Sequence, residues 1–125
     1  MNIEEYKTMT VQEYVSALME IENVSHIAHL QTSSFAEHKA LNELYDGIVN
    51  QFDAYVEAYQ GKYGIIKGYK SFKLEEGVDM ISYLKEKMTA FDAYRGTLTD
   101  GYLQQMVDNT QELLSSTLYK LRFLS

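Results

Sequence analysis

The sequence predicts an all-helical fold, and three observations support that prediction. The chain has 125 residues and no proline, so no proline interrupts a helix from within. Apolar residues recur at intervals of three and four through most of the chain, which is the spacing of one face of an α-helix. Two Ser/Thr-x-x-Glu sequences, beginning at Thr10 and Ser34, have the form of the capping box that starts helices. We therefore expect one helical-bundle domain over residues 1–125.

The first half of the chain predicts a helical hairpin. Helix one begins after Thr10 and runs to about Thr32, and helix two begins after Ser34 and ends at Gly61. The apolar positions of helix one are Val11, Val15, Leu18, Ile21, Val24 and Ala28. Those of helix two are Phe35, Leu41, Tyr45, Ile48, Phe52, Tyr55 and Tyr59. Because the turn between the helices is short, they must lie antiparallel.

The second half predicts a long connection followed by two more helices. Residues 61–77 interrupt the apolar pattern, with Gly61, Gly64 and Gly68 among Tyr, Ile and Lys, and we interpret them as a crossover connection. Whether this connection holds a short strand or a helical turn stays open. The third helix carries Met80, Leu84, Met88, Phe91 and Leu98. After a break at 97–101, the fourth carries Leu103, Met106, Thr110, Leu113, Leu114, Thr117, Leu121 and Leu124.

The lengths of the three connections are short, long and short. A helix of about 25 residues is roughly 37 Å long. The sixteen or so residues between helices two and three can reach about 50 Å when extended, which is enough to run the whole length of the bundle. This predicts a ferritin-like four-helix bundle with a long crossover between helices two and three. A simple up-down bundle with a floppy middle loop is the alternative.

Composition and charge disfavour several classes of function. The net charge is −7, and residues 1–9 are predicted to be a flexible acidic tail, so we expect no nucleic-acid binding. Cysteine is absent, which removes thiolate chemistry. No apolar run approaches eighteen residues and the N-terminus does not resemble a signal peptide. We therefore expect no membrane association and a cytoplasmic location, in a bacterium or a phage-infected host cell.

One stretch of the chain is basic. Lys62, Lys67, Lys70 and Lys73 lie in the predicted connection. A solvated loop is the ordinary interpretation of such a run of charge, and binding of a small anionic ligand or an anionic partner is the alternative.

The histidines are the residues most able to carry chemistry. His26 and His29 lie one turn apart at the end of helix one, after Glu22, and His38 lies in the first turn of helix two. The bend therefore gathers three imidazoles at one end of the hairpin. Imidazole with carboxylate is a ligand set for iron or zinc. Surface or capping histidines are the alternative interpretation.

Helix two adds a carboxylate pair, Asp53 and Glu57, one turn apart. The pair lies on the same flank of the helix as His38, but Glu57 is about 28 Å further along the axis. One ion cannot contact both ends within one chain. If these groups cooperate, histidines of one subunit must meet carboxylates of another, which predicts a homo-oligomer, a dimer or larger.

The stretch from His26 to Glu57 resembles the helix A–helix B core of the Dps-type miniferritins. Their ferroxidase ligands follow the order His, twelve on to His, four on to Asp, eleven on to Asp and four on to Glu. In this chain the positions of that pattern hold His26, His38, Asn42, Asp53 and Glu57. Four of the five match in type, and asparagine stands at the remaining, acidic position. His29 has no counterpart and could replace His26 as a ligand or cap the bend.

The resemblance implies a function. A miniferritin subunit binds Fe(II) between subunits and oxidises it with peroxide or dioxygen, with His26 and His38 from one chain and Asp53 and Glu57 from its neighbour. Asn42 would be a weak ligand or would support the others. The segment HLQTSSFAEHKALNELYD also resembles small proteins of tailed bacteriophages. The alternative function is therefore a non-enzymatic, oligomeric helical interaction protein of phage origin, which binds a host protein or a small anion.

Overall fold

The computed structural model describes residues 8–125, and all the secondary structure in that range is helical. The predicted acidic tail lies largely outside the described residues. The four helices are α1 (Val11–Gln31), α2 (Phe35–Tyr63), α3 (Met80–Arg95) and α4 (Gly101–Phe123). The prediction of an all-helical, four-helix bundle is confirmed. No helix within residues 8–125 has both the length and the apolar character that a membrane span requires.

The predicted starts of the first two helices are confirmed. Thr10 Oγ1 accepts the Glu13 N–H at 3.2 Å, while Glu13 Oε1 accepts the Thr10 N–H at 2.9 Å, which completes the capping box. Ser34 Oγ accepts the Glu37 N–H at 3.2 Å at the start of α2. These bonds satisfy backbone donors that have no partner within the helix.

The predicted end of helix two is wrong by three residues. Gly61 does not adopt positive φ, and α2 continues through it to Tyr63. Gly64, with φ of 94°, ends the helix, because this backbone conformation is accessible mainly to glycine. The connection therefore covers 64–79 rather than 61–77, and it contains neither a strand nor a helical turn.

The helices are arranged so that α1 and α4 each pack against both α2 and α3. Within the described residues the backbones of α2 and α3 do not approach each other closely, and neither do those of α1 and α4, so only side chains such as Tyr55 and Tyr94 meet across these pairs. Each of these two pairs is therefore diagonal across the bundle.

The long connection lies along α1. The Gln12 side chain, in the first turn of α1, donates to the Lys67 carbonyl oxygen at 3.2 Å. Ser16 Oγ accepts the Lys70 N–H at 2.8 Å. At the other end of α1, Gln31 Nε2 donates to Glu76 Oε1 at 2.6 Å. The connection thus runs from the start of α1 to its end before α3 begins.

Aromatic residues fill one part of the core. The Tyr14 ring stacks on Tyr94 with centroids 4.5 Å apart and meets Phe91 edge-on at 4.9 Å. The Tyr55 and Tyr94 hydroxyls are hydrogen-bonded at 2.6 Å. Burial raises the pKa of Tyr94 to about 12, so this phenol stays protonated at neutral pH.

Two residues predicted to be in the core are exposed. Phe35 is 77% exposed and Leu124 is 49% exposed. Phe35 is the first residue of α2 and Leu124 follows the last residue of α4. Both therefore lie at one end of the bundle, beyond the helix turns that would cover them.

Alanine substitution of Gly61 and Gly64 tests where α2 ends. Gly61→Ala should raise the free energy of unfolding by about 0.5–1 kcal/mol, because an added Cβ meets no atom within 4 Å and alanine favours the helix. Gly64→Ala should lower it by about 1–3 kcal/mol, because its φ is strained for any residue with a Cβ. Urea unfolding measures both, and a destabilised Gly61→Ala variant would contradict a helix that continues to Tyr63.

Asp100 joins the ends of two helices. It is the N-cap residue of α4, yet its carboxylate makes no cap hydrogen bond and accepts instead from Lys62 Nζ and Tyr63 O–H at the end of α2. These two hydrogen bonds, that from Lys62 foremost, hold the pKa of Asp100 below its usual range.

This ion pair predicts a pH dependence. A lowered carboxyl pKa stabilises the fold above the unfolded-state pKa, about 4, and the stabilisation is lost as pH falls through the folded-state value. The urea midpoint should therefore fall below about pH 4. Asp100→Asn should be less stable than wild type at pH 7 and should lose less on acidification. Asp53→Asn, at an exposed carboxylate, is the control and should retain the wild-type profile.

Candidate metal site

A three-residue turn between α1 and α2 brings two histidines into contact. The rings of His29 and His38 stack with centroids 3.6 Å apart and planes 20° apart. His29 Nδ1 lies 2.6 Å from the His38 carbonyl oxygen, and His38 Nδ1 lies 2.7 Å from the His29 carbonyl oxygen. The two residues are therefore joined by a reciprocal pair of hydrogen bonds.

These bonds fix the tautomer of both rings. A carbonyl oxygen can only accept a hydrogen bond, so each Nδ1 must carry a hydrogen. In the neutral imidazole the lone pair is then on Nε2, and neither Nε2 has a hydrogen-bond partner among residues 8–125. Histidines that bind metal commonly donate the other ring N–H to a carbonyl oxygen in this way.

The same bonds also have a structural role. The His29 carbonyl is among the last four of α1, which have no partner within the helix. His38 therefore caps the C-terminus of α1 with its side chain. The cluster accordingly stabilises the hairpin whether or not it binds a metal.

His26 lies next to this pair but is exposed. Its ring stacks on Tyr45 with centroids 4.1 Å apart, and its centroid is 6.0 Å from that of His29. The Tyr45 hydroxyl donates to Asn42 Oδ1 at 2.6 Å, and Asn42 Nδ2 donates to Asp46 Oδ2 at 3.3 Å. Asn42 thus uses its polar atoms within the chain, and it holds in place the tyrosine on which His26 stacks.

The two carboxylates of the pattern lie elsewhere on α2. Asp53 and Glu57 are exposed and form no hydrogen bond or ion pair within residues 8–125. Asp53 is fifteen residues after His38, or about 22 Å along the helix axis. Within the described chain, no three His, Asp or Glu side chains are placed to hold a metal ion. One chain therefore brings the histidines together and leaves the carboxylates apart.

The sequence leaves the role of His29 open between a ligand and a cap of the bend, and it assigns Tyr45 only to the apolar face of helix two. A signal for His29 was present. At 100° per residue from Val11, the apolar stripe of α1 runs from about 220° to 40°; His29 falls inside it at about 0°, whereas His26 falls just outside it at about 60°. His29 is indeed only 7% exposed. The stacking of Tyr45 on His26 depends on the hairpin geometry and has no sequence signal.

Comparison with known proteins identifies a family and no function. The model of a family described as "Family of unknown function (DUF5856)" matches residues 29–121, about three quarters of the chain. The chain belongs to this family. The matched range includes His29, His38 and the α2 carboxylates and begins after His26. No curated protein and no solved structure gives a significant match to the chain.

The reciprocal bonds should appear as coupling in stability. His29→Ala and His38→Ala should each lower the free energy of unfolding by about 1–3 kcal/mol, because each removes a donor from a carbonyl and one half of the stack. His26→Ala, at an exposed position, should cost less. The double variant should cost less than the sum of the singles, by about 0.5 kcal/mol or more. Urea unfolding measures all four, and strict additivity would contradict the contact.

Proposed function

We propose that this protein is a homo-oligomeric, iron-binding protein of miniferritin type. His26 and His38 of one chain, with Asp53 and Glu57 of a second chain, bind Fe(II), which is the substrate and is oxidised by peroxide or dioxygen. The observation that carries the proposal is the fixed Nδ1–H tautomer of His38, which leaves its Nε2 lone pair available to a metal ion. His29, whose ring stacks on His38, positions the ligand.

The course of the chain supports a ferritin-like arrangement. A simple up-down bundle would place the third helix beside the second. Here the connection between them lies along α1, and α3 packs against α1 and α4. One long crossover between two helical hairpins is the topology of ferritin-like bundles.

The donor set supports the choice of metal and the need for a second chain. Imidazole nitrogen with carboxylate oxygen suits Fe(II) and also Zn(II) or Co(II). Asp53 and Glu57 are exposed and unpaired in the described chain, so they are accessible to a neighbouring subunit. Because His38 and Asp53 of one chain are about 22 Å apart, a site that uses both kinds of ligand requires two chains to assemble.

Metal binding tests this proposal. Co(II) or Zn(II), which are not oxidised by air under these conditions, should bind stoichiometrically near pH 7 and be released toward pH 5, because protons compete for the imidazole nitrogens. His38→Ala and Asp53→Ala should each weaken binding by about ten- to a hundredfold. Titration calorimetry measures the affinity, and circular dichroism checks that the variants fold. Glu112→Ala, at an exposed carboxylate on α4, is the control and should bind as wild type does.

Complementation then tests whether the ligands come from two chains. In a dimer formed from one His38→Ala chain and one Asp53→Ala chain, one of the two sites has all its ligands intact. Co-refolding the two variants should therefore restore one site per mixed dimer. Absence of stoichiometric binding to wild type, or a strict monomer at tens of micromolar, would remove the proposed site.

A specific observation favours the second candidate, an oligomeric helical interaction protein. Phe35 and Leu124 line a common, mainly apolar groove at one end of the bundle together with Ala36 and Ala40. Exposed apolar patches of this kind mark interaction surfaces. An oligomer that binds no metal, with Phe35→Ser abolishing assembly or host-protein binding, would support this candidate over the first.

A further inference from the structure

The connection carries a strip of unpaired positive charge, which we call the lysine strip (residues 65–74). Lys67, Lys70 and Lys73 are exposed and form no ion pair within residues 8–125. The strip contains no acidic residue, although the chain has a net charge of −7. Successive lysines are three residues apart, which is about 10 Å of extended chain.

Large apolar side chains interleave with these lysines. Ile65 is 70% exposed, Tyr69 is 43% exposed and Leu74 is 53% exposed. Single exposed apolar residues are ordinary. Three of them within ten residues, alternating with unpaired lysines, form a surface that can contact both apolar and acidic groups of one partner.

The lysine strip is held in place by α1 and α2. The Lys67 carbonyl and the Lys70 N–H bond to Gln12 and Ser16 of α1, and the Tyr69 ring centroid lies 6.5 Å from that of Phe52 in α2. A partner would therefore meet a strip whose backbone is already ordered, which lowers the entropic cost of binding.

Main-chain groups of the strip are also available. Within residues 8–125, the strip residues that donate a backbone N–H to a protein partner are Ile66, to Gln60 Oε1, and Lys70. The other N–H groups of the strip can bond to an extended chain that lies beside it, as in recognition by added strands.

The acidic residues beside the lysine strip distinguish an extended anionic peptide from a partner with a wide anionic surface. Lys73 borders a cavity that is also lined by Glu75, Glu86 and the ion pair of Glu20 with Lys87, so its carboxylates outnumber the remaining cations. A membrane surface or a nucleic-acid duplex would meet these carboxylates together with the lysines and would be repelled. An extended peptide contacts the strip alone.

We infer that the lysine strip binds an extended acidic segment of a partner protein. Its carboxylates pair with Lys67, Lys70 and Lys73, and its apolar residues cover Ile65 and Leu74. This interaction does not involve the histidines and goes beyond the proposed metal function.

Fluorescence anisotropy tests the inference with two labelled probes. One probe is poly-L-glutamate and the other is a peptide of alternating glutamate and leucine. Both should bind wild type, more weakly as salt is raised. The triple variant Lys67→Glu/Lys70→Glu/Lys73→Glu should weaken the binding of both probes by at least about tenfold. The matched control is Lys39→Glu/Lys85→Glu/Arg122→Glu, which changes three basic residues that also form no ion pair within residues 8–125 and alters the net charge equally. It should weaken binding by less than about threefold.

A second variant separates the apolar contribution. The double variant Ile65→Ser/Leu74→Ser should weaken binding of the alternating peptide by roughly three- to tenfold and leave binding of poly-L-glutamate unchanged. The inference is overturned if neither probe binds wild type near 0.1 M salt, or if the two triple variants lose affinity equally. It is also overturned if phosphatidylserine vesicles or single-stranded RNA bind through the strip while the peptides do not.

Discussion

The course of segment 64–79 along α1 is the constraint on which the rest of the bundle depends. Its sixteen residues can reach about 50 Å, and α1, at 21 residues, is about 31 Å long. The hydrogen bonds from Gln12, Ser16 and Gln31 hold the segment against the whole of that helix. The chain therefore enters α3 at the end of the bundle where α2 began, and α2 and α3 take diagonal positions. The buried hydroxyl of Ser16 is explained by the same constraint, because it accepts the Lys70 N–H.

Different polar interactions connect the helices at the two ends of the bundle. At one end, His29 and His38 exchange hydrogen bonds with each other's backbone and close the α1–α2 turn. At the other end, the Asp100 carboxylate joins the start of α4 to Lys62 and Tyr63. Both devices use polar side chains to satisfy groups that the helices leave at their ends. At the histidine end the two Nε2 lone pairs have no hydrogen-bond partner among residues 8–125, and the metal proposal is centred there for that reason.

The candidate metal site and the lysine strip lie on different parts of the surface and carry opposite charge. The exposed carboxylates Asp46, Asp53 and Glu57 lie on α2, whereas Lys67 and Lys70 lie in the connection over α1. Under the two proposals, the first of these surfaces binds cations and the second binds anionic segments. The two surfaces share no residue, so each can be altered without removing the other.

The sequence by itself determined the helices, because capping and apolar periodicity act over a few residues. Thr10, Glu13 and Ser34 marked the starts of α1 and α2 correctly. It did not determine which glycine ends α2, since the choice between Gly61 and Gly64 depends on where the connection must leave the bundle.

The candidate site divides in the same way. The spacing of His26, His38 and the α2 carboxylates could be read from the sequence, and whether they meet across two chains stays a prediction. The burial of His29, its stack on His38 and the stack of His26 on Tyr45 were decided by the tertiary structure. These contacts join residues of α1 and α2 or depend on the angle between those helices. Local sequence rules carry no information about that angle, because the packing of whole helix faces sets it.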